Sequence, residues 1–213
     1  MSVATLSCAH IVGIGAEQVT VEVDVSRGLY SFSIVGLPDK AIDESKDRII
    51  SALKNIGAKN PKSENQKVVV SLSPAAQKKE GAYFDVPIAL AYLIASKQLK
   101  IPPDGGWFVG ELSLTGEILE MKGVLLIAQF AKECGVKSLY VPYANKKEAA
   151  LVDGLAVYGC KTLTDIILHF GGVLETNHQK NTLSKEEKTE IIYSPPKHFL
   201  DFKDIRGQAT AKR

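Results

Sequence analysis

The side chains that most often carry out chemistry in proteins are sparse and widely separated in this sequence. Its histidines are His10, His169, His178 and His198. None has a carboxylate or cysteine at ligand spacing, so neither a zinc site nor histidine-based catalysis is predicted. The cysteines are Cys8, Cys134 and Cys160, an odd number placed far apart, which argues against a disulfide framework or a metal knuckle. We expect all three to be small buried residues in a reducing compartment.

A phosphate-binding loop would be a second source of chemistry. Such a loop needs the pattern G-x-x-x-x-G-K-[ST] between a strand and a helix, so that backbone N–H groups and a lysine hold the phosphates. None of the 17 glycines lies in that pattern. No nucleotide hydrolysis is therefore predicted within this chain.

One stretch of the sequence is rich in cations. Between Lys40 and Lys79 the chain carries nine lysines and arginines against four acidic residues. One interpretation is the solvated face of a helix and its following loop. The other is a modest surface that contacts phosphates, although the net charge of +2 does not by itself indicate a nucleic-acid-binding protein.

Composition indicates an ordinary globular protein. The 213 residues are 45% hydrophobic and 23% charged, which suits one good-sized core. No run approaches the roughly 18–20 apolar residues needed to cross a bilayer, and the first residues lack the pattern of a signal peptide. We expect no membrane partner and a cytoplasmic location.

The pattern of apolar residues predicts a mixed α/β (α+β) domain. Period-two alternation at 19–25 and 31–37 predicts two strands paired as a hairpin. Asp39 is expected to cap a helix that ends at Gly57, and the valine-rich segment 67–73 to form a central strand.

The second half of the chain continues this alternation. Asp85 is expected to cap a buried helix, and Asn145 to form a capping box with Glu148. A strand pair is predicted around Thr115-Gly116, and a last helix from Thr162. The remaining predictions are a helix over 123–135, strands over 136–142 and 155–159, and a short strand at 190–193.

Two blocks of this sequence resemble the proteolytic domain of Lon proteases, whose fold is similar to the second domain of ribosomal protein S5. They are VVVSLSPAAQKKEGAYFDVPIALAYLIAS (68–96) and GELSLTGEILEMKGVLLIAQFAKECGVKSLYVP (110–142). The resemblance implies a serine–lysine dyad, but Tyr83 and Leu125 occupy the serine and lysine positions. A phenol and an isobutyl group cannot form that dyad. Relocated partners would have to come from Ser71, Ser73, Lys78, Lys79 and Lys122, and nothing in the sequence fixes their geometry.

The chain as a whole is similar to the ComM/YifB family, also called magnesium chelatase-like AAA+ proteins. The runs that carry this resemblance are VEVDVSRGLYSFSIVGLPDKAIDESKDRIISALKNIG (21–57), LSPAAQKKEGAYFDVPIALAYL (72–93), GELSLTGEI (110–118) and DFKDIRGQATAKR (201–213). The resemblance implies a Lon-like domain over 1–171, a polar linker over 172–200 and the start of an AAA+ module over 201–213. It also implies that Ile205, Gly207 and Gln208 lie beside the adenine ring of ATP.

From this resemblance we expect a non-catalytic N-terminal domain of a ring-forming ATPase that drives DNA branch migration. ATP and Mg²⁺ are expected for the full-length protein and no cofactor for this chain. The partners would be the protein's own AAA+ module, sister subunits in a ring, and DNA. DNA or subunit contacts are predicted for Arg27, Lys54, Lys59, Lys62 and Lys67. The alternatives are a Lon-like serine peptidase with a relocated nucleophile and a pure protein-interaction domain.

Overall fold

Period-two alternation of apolar residues folds the first part of the chain into a four-stranded sheet. Its strands are β1 (Ser2–Val12), β2 (Gly15–Arg27), β3 (Ser31–Val35) and β4 (Gln66–Ser73). Their spatial order is β1-β2-β4-β3, with β2 antiparallel to β1 and β4, and β3 parallel to β4. The computed structural model describes residues 2–76, 78–172, 174 and 183–190.

Two helices lie beside this sheet. α1 (Lys40–Asn55) connects β3 to β4, and α2 (Asp85–Ala95) lies against β1 and β2 and contacts α1. Sheet residues on the helix side, such as Val21 and Val70, are buried, whereas Glu22 and Ser71 on the opposite side are exposed or half-buried. One face of the sheet therefore forms the core, and the other face is polar.

A second layer of short strands and helices completes the described part. β5 (Trp107–Phe108), β8 (Ser138–Pro142) and β9 (Ala156–Cys160) form a parallel sheet in the order β5-β8-β9. β6 (Glu111–Leu112) and β7 (Ile118–Leu119) form a hairpin. The helices are α3 (Val124–Glu133), a 3₁₀ turn (Tyr143–Asn145), α4 (Lys146–Ala149) and α5 (Leu163–His169). Buried residues of both layers belong to one hydrophobic cluster.

The predicted mixed α+β fold is confirmed, and so are its main helix boundaries. The Asp39 carboxylate accepts a hydrogen bond from the Ile42 N–H at 2.9 Å and caps α1. Thr162 and Asp165 form a reciprocal capping box at α5, and Gly135, with φ 74°, follows the end of α3. The predicted strand pair around Thr115-Gly116 is the β6–β7 hairpin.

The predicted hairpin between β2 and β3 is wrong. β4 lies between these two strands and pairs with both of them. The connection from β2 to β3 passes the start of β4, where the Gly28 N–H donates to the Asn65 carbonyl at 3.0 Å. A parallel β3–β4 pair becomes possible because α1 serves as the crossover between the two strands.

Two predicted caps are also wrong, because both side chains have other partners. Phe84 occupies the N-cap position of α2, and the Asp85 carboxylate instead binds Arg48 and the Leu112 N–H. Asn145 does occupy the N-cap position of α4, but it forms no capping box: its side chain exchanges two hydrogen bonds with the backbone of Met121 and donates to the Glu148 carboxylate at 3.0 Å.

The sequence analysis missed β1 and misjudged one cysteine. Small inward-facing residues such as Ala4 and Cys8 weaken the alternation of apolar and polar residues along β1. The strand is therefore recognised only from its pairing with β2. Cys8 and Cys160 are buried as expected, whereas Cys134 is exposed at the end of α3.

Candidate functional sites at the two ends of the sheet

The loop after β4 is anchored to the start of α1. The Lys79 N–H donates to the Leu37 carbonyl at 3.2 Å, and the Asp39 N–H donates to the Lys79 carbonyl at 3.1 Å. The Gly81 N–H donates to the second oxygen of the Asp39 carboxylate at 3.0 Å. These bonds fix the turn that carries Tyr83 into α2.

Tyr83, at the predicted serine position, is half-buried in this turn. A Cβ on Gly81 would lie 2.6 Å from the Tyr83 ring, so the ring needs a glycine there. The Tyr83 carbonyl accepts from the Gly110 N–H at 3.2 Å. Its ring lines a cleft of about 240 Å³ together with Glu111 and Lys122. Burial raises the pKa of the Tyr83 phenol, which keeps it protonated at neutral pH.

Leu125, at the predicted lysine position, lies in the first turn of α3. Its N–H donates to the Glu148 carboxylate at 3.0 Å, and its side chain lines a cavity with Gln129 and Leu151. Tyr83 and Leu125 thus line two different cavities. That neither residue is catalytic stays a prediction.

The candidate serines Ser71 and Ser73 are not linked to Lys78 in the described part of the chain. Both lie on the polar face of the sheet, and no hydrogen bond within the described residues joins either one to Lys78. Lys78 instead pairs with Glu80 at 2.7 Å.

Two buried polar residues near this turn, His10 and Lys79, were not predicted as a site from the sequence. The His10 ring is 1% exposed and lies 5.7 Å from the Phe84 ring, and among the described residues neither ring nitrogen has a hydrogen-bond partner. Lys79 is fully buried, and its ammonium donates to the Pro74 carbonyl. Burial lowers the pKa of His10 and the pKa of Lys79. The Lys79 charge lowers the His10 pKa further, whereas the Glu17 charge raises the pKa of both groups. Because β1 was not predicted, no sequence signal placed His10 here.

Cations gather at the opposite end of the sheet, where β2 ends and β4 begins. Arg27 lies opposite Gln66, and Lys67 lies opposite Ser26. The Asn60 side chain accepts from the Lys62 N–H at 3.1 Å in the turn before β4.

Lys59 and Lys54 complete this group of exposed cations. Lys59 exchanges two backbone hydrogen bonds with the Gln98 side chain after α2, and Lys54 lies in the last turn of α1. We call Arg27, Lys54, Lys59, Lys62 and Lys67 the basic end. All five are exposed, and none forms an ion pair with a described residue.

The cation-rich stretch is therefore not one surface. Arg48 forms an ion pair with Asp85 at 2.7 Å, and Lys46 lies 3.8 Å from Asp43. Lys79 is buried at the other end of the sheet. Only part of the stretch remains available to a phosphate.

Residues 183–190 pack against the domain. The Glu186 N–H donates to the Val157 carbonyl of β9 at 2.7 Å, and the Glu186 carboxylate pairs with Lys146 at 2.8 Å. The Leu183 N–H donates to Nδ1 of His169 at 3.1 Å, and Nε2 of His169 contacts the Tyr140 hydroxyl at 3.2 Å.

The predicted domain division, with boundaries at 171 and 200, stays a prediction. His178, His198, the nucleotide residues Ile205, Gly207 and Gln208, and 191–193 of the predicted strand lie outside the described residues.

Two further properties concern the described residues only. They contain no group of three or more His, Cys, Asp or Glu that could hold a metal ion. None of their helices has the length and apolar character required to span a bilayer.

Comparison with known proteins supports the resemblances drawn from the sequence. Residues 21–145 match the family described as subunit ChlI of Mg-chelatase. The whole chain is 37% identical to competence protein ComM of Haemophilus influenzae and 34% identical to the protein YifB of Escherichia coli, and it spans 40% of the length of each. It is also 25% identical to the Lon protease of Buchnera aphidicola in an alignment of 164 positions that covers 72% of this chain and 21% of that protease. The expected likeness to ComM, YifB and Lon is confirmed.

Proposed function

This chain belongs to the family of the ChlI subunit of Mg-chelatase, and we propose that it is the non-catalytic N-terminal domain of a ring-forming AAA+ ATPase that acts on DNA. The observation that carries the proposal is the basic end, where Arg27 and four lysines are exposed and none forms an ion pair with a described residue. In this proposal the domain contacts DNA phosphates while the ring works on the strands in branch migration. Its location is cytoplasmic.

The opposite end of the sheet supports the non-catalytic part of the proposal. A serine–lysine mechanism needs a nucleophile and its base within about 3 Å. Tyr83 offers a phenol whose pKa is raised by burial, and Leu125 offers an alkyl group that lines a different cavity. The retained Lon-like fold would then serve as a scaffold.

The ATPase chemistry belongs to the full-length protein in this proposal. ATP and Mg²⁺ are expected to bind outside this chain, because the sequence has no G-x-x-x-x-G-K-[ST] loop.

Salt dependence gives the sharpest test of the DNA contact. Each phosphate contact to duplex DNA contributes roughly 0.9 unit to the slope of log affinity against log salt. Charge reversal of Lys54, Lys59, Lys62 and Lys67 to Glu should weaken binding of a fluorescent duplex and flatten that slope by about 3.6 units. Anisotropy titrations between about 50 and 200 mM NaCl measure both quantities.

A matched control uses two exposed lysines away from this end. Lys132 lies on α3 and Lys147 on α4, and neither forms an ion pair with a described residue. The double variant K132E/K147E should bind DNA like the parent chain. Equal losses in the two variants would show non-specific attraction, and an unchanged slope in the quadruple variant would remove the basis of the proposal.

The non-catalytic part has its own test. A serine-directed fluorophosphonate probe should label no serine in the chain or in the full-length protein, and an unstructured protein substrate should remain intact. Labelling of Ser71 or Ser73 would overturn the non-catalytic assignment and favour the peptidase alternative.

A further inference from the structure

An open cleft of mixed polar and apolar lining lies between the end of α2 and the end of β2. Its volume is about 400 Å³, and its lining includes Arg27, Gln66, Ser96 and Lys97. Arg27 belongs to the basic end, whereas Lys97 is outside the stretch that the sequence analysis selected. The cleft thus brings two cations to its walls from separate elements.

Lys97 has an unusual backbone conformation. Its φ of 63° is left-handed, in the position after a helix end that glycine usually occupies. A lysine there costs stability, and such a cost is most often retained where the side chain has a use.

The helix end does not require the Lys97 ammonium. The Tyr92 carbonyl already accepts from the Ser96 N–H at 2.8 Å, and the Ile94 carbonyl accepts from the Lys97 N–H at 2.9 Å. The Leu93 carbonyl accepts from the Gln98 N–H at 2.8 Å. The negative partial charge at this helix end is thus largely compensated by backbone hydrogen bonds.

The turn that holds Lys97 is also pinned to the basic end. The Gln98 side-chain amide donates to the Lys59 carbonyl at 2.9 Å and to the Ser96 hydroxyl at 2.8 Å, and it accepts from the Lys59 N–H at 2.8 Å. Lys97 is exposed and forms no ion pair with a described residue. The backbone that carries Lys97 is therefore fixed, and its ammonium is exposed and not paired with an acid among the described residues.

Gln66 supplies a third donor. Its amide oxygen accepts from the Tyr92 hydroxyl at 2.8 Å, and among the described residues its amide nitrogen has no acceptor. A tetrahedral phosphate can accept from a guanidinium fork, an ammonium and an amide at once.

We propose that Arg27, Gln66 and Lys97 form one phosphate subsite for a DNA backbone phosphate. This inference rests on the proposed function, and it names the site at which one phosphate is held. Arg27 would bind two phosphate oxygens, and Lys97 would supply a positive charge from the other wall of the cleft.

The test uses the left-handed backbone conformation of Lys97. In Lys97→Gly the charge is lost while the left-handed position gains its preferred residue, so the chain should unfold at a higher temperature. Its affinity for duplex DNA should fall roughly eightfold at about 0.1 M salt, with the salt slope reduced by about 0.9 unit. Lys147→Ala serves as a control and should leave DNA affinity unchanged.

The outcomes separate this inference from the proposed function. If Lys97→Gly keeps full affinity while the quadruple lysine variant loses it, the subsite is wrong and the proposed DNA contact stands. If the parent chain binds no duplex even at low salt, both fail. A lower unfolding temperature for Lys97→Gly would contradict the strain argument and remove the reason for assigning Lys97 to this site.

Discussion

Removal of Arg48 should expose how strongly the fold depends on one buried ion pair. Arg48 binds the Asp85 carboxylate through two hydrogen bonds, at 2.7 and 3.1 Å, and the Asp85 side chain is 1% exposed. In Arg48→Met the carboxylate keeps only the Leu112 N–H, at 3.1 Å. Loss of one partner from a buried pair typically costs about 3–5 kcal/mol, and we expect a loss of that size in the free energy of unfolding at neutral pH.

The loss should depend on pH with a definite sign. Burial raises the pKa of the Asp85 carboxyl to about 6, and the hydrogen bonds from Arg48 oppose that rise. In the parent chain, Asp85 therefore lowers stability as the pH rises from about 4 to about 6, because the folded state holds the proton more tightly. Without Arg48 the pKa rises further, so Arg48→Met should continue to lose stability above pH 6, by up to about 1.4 kcal/mol per pH unit.

Urea denaturation from pH 5 to pH 8 measures this effect, and a double-mutant cycle isolates the pair. Asp85→Asn should cost less, because Arg48 is partly exposed and can retain its bond to the Ala41 carbonyl at 3.2 Å. The double variant should recover stability relative to Arg48→Met alone. The reasoning is refuted if Arg48→Met costs under about 1 kcal/mol, or if the two single effects simply add.

Two further predictions concern the last helix and the segment packed beside it. Nδ1 of His169 accepts from the Leu183 N–H, and burial lowers the His169 pKa, so acidification below about pH 6.5 should loosen residues 183–190. The protection factor of the Glu186 amide, which compares its exchange rate with the intrinsic rate at the same pH, should fall at low pH in the parent chain, and a His169→Gln variant should lack that pH dependence. Thr162→Ala removes the hydroxyl that caps the Asp165 N–H and should cost about 1 kcal/mol by urea denaturation; Thr162→Ser should restore most of it.

Local chemistry explains the parts of the fold that the sequence predicted. The caps at Asp39 and Thr162 involve residues three positions apart, so their hydrogen bonds can be recognised without knowledge of the fold. The nearly continuous apolar character of α2 predicted a buried helix in the same way.

Long-range partners explain the errors. Asp85 and Asn145 are good capping residues by type, but Arg48 and Met121, distant in sequence, satisfy their side chains instead. The order of β2, β4 and β3 likewise depends on pairing across the intervening α1, which alternation within each strand does not reveal.

The candidate sites show the same difference between local sequence signals and long-range contacts. Sequence alone selected Arg27 and the nearby lysines, yet it could not show that Arg48 and Lys79 from the same stretch are committed elsewhere. Lys97 escaped notice because its left-handed backbone and its place opposite Arg27 arise only once α2 and β2 have packed.

The central strand β4 has a mechanical consequence for the domain. Its eight residues extend about 26 Å, from Gln66 at the basic end to Ser73, just before the loop that carries Lys79. Hydrogen bonds to β2 and β3 flank it on both sides, so a pull along its axis must shear many bonds at once instead of opening them one by one. A force applied at Lys67 would therefore reach the far end of the strand with little local deformation.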